Sequence, residues 1–173
     1  AAVLEPTSQP GFLAAAARAD GSYAGRWGLF AGGTAEPASV EAVTEGRTQV
    51  RCLEPYPPEI NLEGWPRLVR ELARRGGFEV EEIDLAVFTQ VRKPTIEAVM
   101  ADLGLPVERT HTIMESCGYT GSACIPMAFD DAVREGKVKA GDLVVFVGSG
   151  VGYNQAGAAF RMGSAPEGKG ENP

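Results

Sequence analysis

The sequence predicts a layered α/β fold built on a mixed β-sheet with helices packed against it, and three observations carry that expectation. The run Leu143-Val144-Val145-Phe146-Val147 has no polar alternation, as suits a strand covered on both faces. Upstream, Ile125, Phe129, Ala132 and Val133 recur at i, i+4, i+7 and i+8 and lay one apolar stripe along a helix. The glycine-rich segment Gly148-Ser149-Gly150-Val151-Gly152 follows the strand directly, at the end of a buried strand where open α/β sheets place ligands.

Taken in order, the chain opens on Ala1-Ala2-Val3-Leu4, which reads as a strand already under way, followed by a turn at Glu5-Pro6. Propensity alone makes the alanine-rich segment from Gly11 to Arg18 a helix, ended by Asp20-Gly21. Residues 21–60 are rich in Gly, Pro and Ser and read as a long irregular insertion with one short strand around Thr48 to Leu53. Segments of this length inside compact domains act as lids or interfaces. Tyr23 and Trp27 within it serve equally as packing anchors or as substrate contacts.

A helix from Gly64 to Arg75 buries Trp65, Leu68, Val69 and Leu72, with Pro66 in its first turn and Gly76-Gly77 as its stop. Asp84 to Phe88 forms a short strand. Pro94 then opens a helix carrying Ile96, Val99, Met100 and Leu103, closed by Gly104. Residues 111 to 115 form another strand. Ser122 or Thr120 caps the helix that follows, with Pro126 near its first turn and Gly136 as its stop. After a turn at Lys139-Ala140-Gly141-Asp142 come the buried strand and a last strand, Ala156 to Met162. These elements make one domain over 1–162, and residues 163–173 have the composition of a flexible tail.

With 173 residues, 44% of them hydrophobic, the chain can build one ordinary core. A formal charge of -7 argues against nucleic-acid or membrane-surface binding, both of which need an excess of Lys and Arg. No apolar run approaches the roughly 20 residues of a membrane-spanning helix. Three cysteines, Cys52, Cys117 and Cys124, match no zinc spacing, so no metal site is expected and a reduced, cytoplasmic setting is the simplest reading. The chain begins with Ala rather than Met, which suggests a fragment, a processed product or one half of a split protein.

The phrase GYTGSACIPMAFDDAVREGKVKAGDLVVFVGSGVG, the earlier IDLAVFTQ and the order of elements resemble the C-terminal half of a ketoacyl-acyl-carrier-protein synthase III, a thiolase-fold condensing enzyme of fatty acid biosynthesis. The resemblance runs from Ala1 to about Met162 and is strongest after Val80. It implies a half-domain that pairs with a similar N-terminal half in an oligomer. It also turns the Gly11–Arg18 segment into a second sheet strand. The implied substrates are coenzyme A or phosphopantetheine thioesters, with an acyl carrier protein as partner and no tightly bound cofactor.

Such enzymes carry the acyl group on a cysteine of the N-terminal half, aided by a histidine and an asparagine at the thioester oxygen. The family's His-Gln-Ala-Asn is matched here by Thr89-Gln90-Val91-Arg92, and its Gly-Asn-Thr by Gly118-Tyr119-Thr120, so Thr89 and Tyr119 stand where the histidine and asparagine would be. Thr89 has no titratable nitrogen, and an ordinary phenol is a poor base near neutral pH. Cys117, beside Tyr119, is the candidate reactive thiol; Cys124 opens a helix, where a thiolate can be favoured, but reads better as a small buried hydrophobe. His111 is expected on a strand or at the surface.

The family's oxyanion loop is matched by Gly150, Val151, Gly152 and Asn154, with Val151 where the family has Gly or Ala. Arg92 and Lys93, at the start of a helix, make a basic spot suited to the carrier protein or to coenzyme A phosphates. The alternative implied by the two replaced side chains is a catalytically silent scaffold or regulatory subunit.

Overall fold

In the computed structural model, which describes residues 11–163, the alanine-rich segment is a strand, β1 (Phe12–Ala19). Helix propensity loses there because Ala14 and Ala16 are buried against neighbouring elements while the backbone pairs antiparallel with the last strand. The insertion holds two two-residue strands, β2 (Trp27–Gly28) and β3 (Arg51–Cys52), paired with each other. Between them lies the one-turn helix α1 (Val40–Thr44), whose first turn is capped by Ser39 Oγ accepting from Ala42 N.

Helix α2 spans Glu59–Gly76, five residues earlier than the sequence suggests, so Pro66 sits in its interior rather than its first turn. Pro57 and Pro58 read as breakers in the sequence, yet Pro58 has helical dihedrals and serves as the N-cap. Gly77, in the left-handed conformation, ends the helix as expected. Then come β4 (Leu85–Phe88), α3 (Lys93–Asp102), the single turn α4 (Met114–Cys117), α5 (Cys124–Arg134), β5 (Leu143–Gly150) and β6 (Asn154–Arg161).

The four long strands form one mixed sheet in the order β1-β6-β5-β4, with β4 parallel to β5 and the other pairs antiparallel. Alternation sorts the side chains. Ala86, Phe88, Val145, Val147 and Ala159 face a core shared with Trp65, Leu68 and Leu72 of α2 and with Ile96 and Val99 of α3. Leu85, Val87 and Val144 face the opposite layer, where α5 presents Ala128 and Ala132 flanked by Ile125 and Phe129. Val133, expected on this stripe, is 45% exposed; the buried row runs through Ala128 instead.

Three further expectations are corrected. Residues 111–115 are not a strand. Only Thr110 bridges to Ala86, after which the buried Gln90 side chain donates to His111 O (2.9 Å) and accepts from Ile113 N (2.9 Å), so a side chain satisfies the groups a ladder would have used. Neither Thr120 nor Ser122 caps α5: a 3-10 turn at Gly121–Ala123 winds directly into it, and Thr120 Oγ1 is left buried without a partner among the described residues. Finally, Gly148–Gly150 belong to β5, and the turn is confined to Val151–Tyr153 because the β5–β6 register pairs Gly150 with Asn154. Residues 1–10 and 164–173, with the expected opening strand, the Glu5-Pro6 turn and most of the expected tail, lie outside the described residues.

Helix α2 closes onto the sheet over Gly157, where an added Cβ would meet Leu72 Cδ1 at 2.9 Å and the Phe146 carbonyl oxygen at 3.0 Å. Gly157→Ala restricts the unfolded chain, a gain of about 0.4–1 kcal/mol. The overpacking costs about 1–3 kcal/mol, because the carbonyl cannot move without breaking the sheet. Chemical denaturation of this variant is expected to show a net loss of about 1–2 kcal/mol.

Candidate functional site

A cavity of about 220 Å³ opens beyond the C-terminal ends of the parallel strands β4 and β5. Its wall includes Thr89 just past β4, Gly150 and Val151 at the end of β5, Arg92 and Thr95 at the start of α3, and Tyr119 from the loop before α5. Five residues singled out in the sequence therefore converge: Thr89, Arg92, Tyr119, Gly150 and Val151. Cys117, Lys93, Gly152 and Asn154 are not among the lining residues.

The opposite wall comes from the insertion and the first turn of α2, through Trp27, Tyr56, Pro57, Pro58, Ile60 and Asn61. Tyr56 packs edge-on against Tyr153 with ring centroids 4.7 Å apart and neighbours Tyr23 and Trp27 at 5.9 and 6.2 Å. Edge-to-face aromatic contacts of this kind hold a segment that has little regular hydrogen bonding of its own. Of the two aromatics noted in the insertion, Trp27 reaches the cavity and Tyr23 packs behind Tyr56.

Behind the cavity runs a chain of polar groups. Trp65 Nε1 donates to Ser149 Oγ (2.7 Å), Ser149 Oγ donates to Asn61 Oδ1 (2.8 Å), and Tyr153 OH donates to the same oxygen at 2.5 Å. Gln155 Nε2 reaches Asn61 Oδ1 (3.1 Å) and Ile60 O (3.0 Å). Thr89 Oγ1, only 4% exposed as a residue, accepts from Ser149 N at 2.8 Å and so locks the end of β4 to β5. Asn61, Tyr56 and Tyr153 escape sequence reasoning, and Ser149 enters it only as part of the glycine-rich segment. They are brought together over separations of 80 residues and more, and Asn61 sits in a helix turn that the sequence reads as loop.

The remaining candidates are placed elsewhere. Gly152 N donates to Tyr56 OH at 3.3 Å, and Asn154 Nδ2 donates to Val151 O, closing the turn rather than facing the cavity. Lys93 is bound to Glu115, which raises the Lys93 pKa and lowers that of Glu115, whereas Arg92 makes no side-chain hydrogen bond or ion pair among the described residues. Cys117 is exposed at the end of α4 with Ser116 Oγ at 3.6 Å. Cys124 is buried, as a small hydrophobe would be, and accepts a weak bond from Gln90 N at 3.4 Å.

His111 is neither on a strand nor at the surface. It is buried, with Nε2 2.8 Å from Asp131 and Nδ1 2.9 Å from Lys137 Nζ. An ammonium can only donate, so Nδ1 is the acceptor and the Nε2 hydrogen points at Asp131. His111, Asp131 and Glu135 have ligand-type atoms within 4.8 Å of one another, but Lys137 already supplies the cation, pairing with Glu135 at 2.8 Å.

The comparison with known sequences decides the lineage. Residues 73–162 match the model of the 3-oxoacyl-[acyl-carrier-protein (ACP)] synthase III C-terminal family. The chain belongs to that family. It is 35% identical over 166 residues to the β-ketoacyl-[acyl-carrier-protein] synthase III of Symbiobacterium thermophilum, covering 94% of this chain and 50% of the relative. The corresponding enzyme of Methylococcus capsulatus is 33% identical over 163 residues, with 49% of it covered. The chain thus spans about half the length of the curated family members it matches.

Among solved structures, a 3-oxoacyl-(acyl carrier protein) synthase III from Pseudomonas aeruginosa superposes with a TM-score of 0.79 at 23% identity, over 94% of this chain and 50% of that one. The priming β-ketosynthase of the R1128 polyketide pathway gives 0.78 at 22% identity over 93% and 48%. The fold is that of one thiolase-like half, as the family membership implies. No helix of the described residues is long and apolar enough to cross a membrane.

Electrostatics limit what this site can do. Burial, and then the nearby Cys124, push the Tyr119 phenol above its ordinary value of 10.0; burial likewise raises Tyr153, partly offset by its hydrogen bonds to Ser149, Asn61 and Gln155. Both stay neutral and able to donate near pH 7. Ultraviolet titration should show two phenols ionising above pH 10, the late component shrinking in Tyr119→Phe and in Tyr153→Phe. The unfolded chain ionises first, so stability should fall as pH rises past 10 toward the folded-state values.

Proposed function

We propose that this chain supplies the C-terminal half of a ketoacyl synthase III-type condensing enzyme, acting with an N-terminal half on coenzyme A or acyl-carrier-protein thioesters. The observation that carries this reading is the convergence of Thr89, Tyr119, Gly150, Val151 and Arg92 on one cavity at the ends of β4 and β5. In this reading the acyl group arrives on a cysteine of the other half, and this half contributes an apolar, aromatic wall and neutral donors. Thr89 and Tyr119 bring hydroxyls where the family has a histidine and an asparagine, so they stabilise charge at a thioester oxygen by donation and do not shuttle protons at neutral pH.

Arg92 takes the phosphate or carrier-protein contact. Among the described residues its guanidinium has no partner beside the cavity, whereas the Lys93 ammonium is spent on Glu115. In a complex reconstituted with the N-terminal half, Arg92→Ala should raise the KM for a coenzyme A thioester roughly tenfold with kcat nearly unchanged, the pattern of lost ground-state binding. Lys93→Ala should change KM less than about twofold, since an exposed pair contributes little. Equal effects of the two substitutions would count against Arg92 as the anion contact.

A second reading, a silent scaffold or regulatory subunit, is favoured by the loss of both family side chains. The same complex separates the two, with acyl loading and condensation measured independently. Condensation that falls tenfold or more in Thr89→Ala or Tyr119→Phe supports participation of this site. An unchanged rate in a fully active complex makes both positions passive. Absence of acyl loading and condensation with wild-type chain supports the scaffold.

A further inference from the structure

Asn61 offers a group that the reading above leaves unused. It lies in the first turn of α2, lines the cavity, and has its amide orientation fixed by its polar neighbours. At one end the Trp65 Nε1–H can only donate. Ser149 Oγ accepts from it and donates its own hydrogen to Asn61. At the other end the Ile60 carbonyl can only accept, so the Gln155 atom 3.0 Å from it is nitrogen, and that same nitrogen reaches Asn61 at 3.1 Å. The Gln155 end requires the Asn61 atom in the network to be oxygen, the Ser149 hydroxyl has its hydrogen available for that oxygen, and Tyr153 OH adds a third donor to it.

With Oδ1 accepting from three groups, Nδ2 points the other way. Its two hydrogens meet no acceptor among the described residues. Nor is it sealed in the core, because the buried side-chain polar atom left without a partner among the described residues is Thr120 Oγ1. An amide nitrogen with both hydrogens unused, held rigidly by its own oxygen at the wall of a cavity, is a pre-oriented donor pair for a ligand oxygen. Thr89 Oγ1 accepts from Ser149 N and so has only its single hydroxyl hydrogen to offer, and Tyr119 is half-exposed on a loop.

We propose that Asn61 Nδ2 donates to the carbonyl oxygen of an acyl thioester held in this cavity. The assignment rests on the thioester reading of the site. It adds the first turn of α2 to Thr89 and Tyr119 as a source of donors for the thioester oxygen.

The test uses the full chain and two small probes, S-acetyl-N-acetylcysteamine and the matching S-ethyl thioether, in which a methylene replaces the thioester carbonyl. Wild-type protein is expected to bind the thioester about tenfold more tightly, the worth of one well-placed hydrogen bond. The Asn61 side-chain amide resonances are expected to move with the thioester and not with the thioether. Asn61→Asp keeps an oxygen for Ser149, Tyr153 and Gln155 and so preserves the fold, but removes the donors; its preference between the probes should drop to near one. A preference that persists in Asn61→Asp, equal binding of both probes by wild type, or amide resonances indifferent to the thioester each overturns the assignment and leaves the thioester reading standing. Failure of wild type to bind the thioester at millimolar concentration overturns the assignment too, while the thioester reading itself stands or falls on acyl loading in the complex reconstituted with the N-terminal half. The wild-type resonances decide the matter even if the variant fails to fold.

Discussion

Burial of β5 on both faces is the constraint on which the rest of the structure depends. Leu143, Val144, Val145 and Val147 are buried, and successive residues point into different layers, so both layers must be supplied. Helices α2 and α3 cover one face and α5 the other, while β4 and β6 saturate the backbone on either side. A strand enclosed in this way has one place where its chain can meet a ligand, the end beyond the last covered residue. The run Gly148–Gly150 lies there, with its small residues leaving room for the cavity.

The polar network behind the cavity couples that end of the sheet to the start of α2. Ser149 has a backbone N–H held by Thr89 and a hydroxyl held by Trp65 and Asn61, so one residue fixes β4, β5 and α2 to one another. Such a network restrains the wall chemically where apolar packing thins out. It also ties Gly64 to the site: an added Cβ there would lie 2.2 Å from Gln155 Oε1, so a side chain at Gly64 would displace Gln155 from its bonds to Ile60 and Asn61.

Elements governed by local periodicity were legible in the sequence. The LVVFV strand and the stripes of α2, α3 and α5 follow from neighbours a few residues apart, and the family resemblance corrected the alanine-rich strand that propensity alone misreads. The start of α2 was not legible, because Pro57-Pro58 signals a break as readily as a helix entrance. Residues 111–115 look like a strand but are held by the side chain of Gln90, about 20 positions upstream. At the site, Thr89, Tyr119, Gly150, Val151 and Arg92 were found by matching a motif, whereas Asn61 and Tyr153 depend on contacts across more than 90 residues and leave no pattern along the chain.

The Gln90 clamp also governs how far the sheet can grow. β4 is four residues long and, among the described residues, has a strand neighbour, β5, on one side only. Its other side carries Thr110, bridged to Ala86 and donating its hydroxyl to the Ala86 carbonyl, and then the segment that Gln90 grips at His111 and Ile113. An incoming strand would find that carbonyl occupied and the flanking backbone already engaged. Among the described residues the border is closed by side chains rather than by a fifth strand, which blunts self-association through an open row of amides.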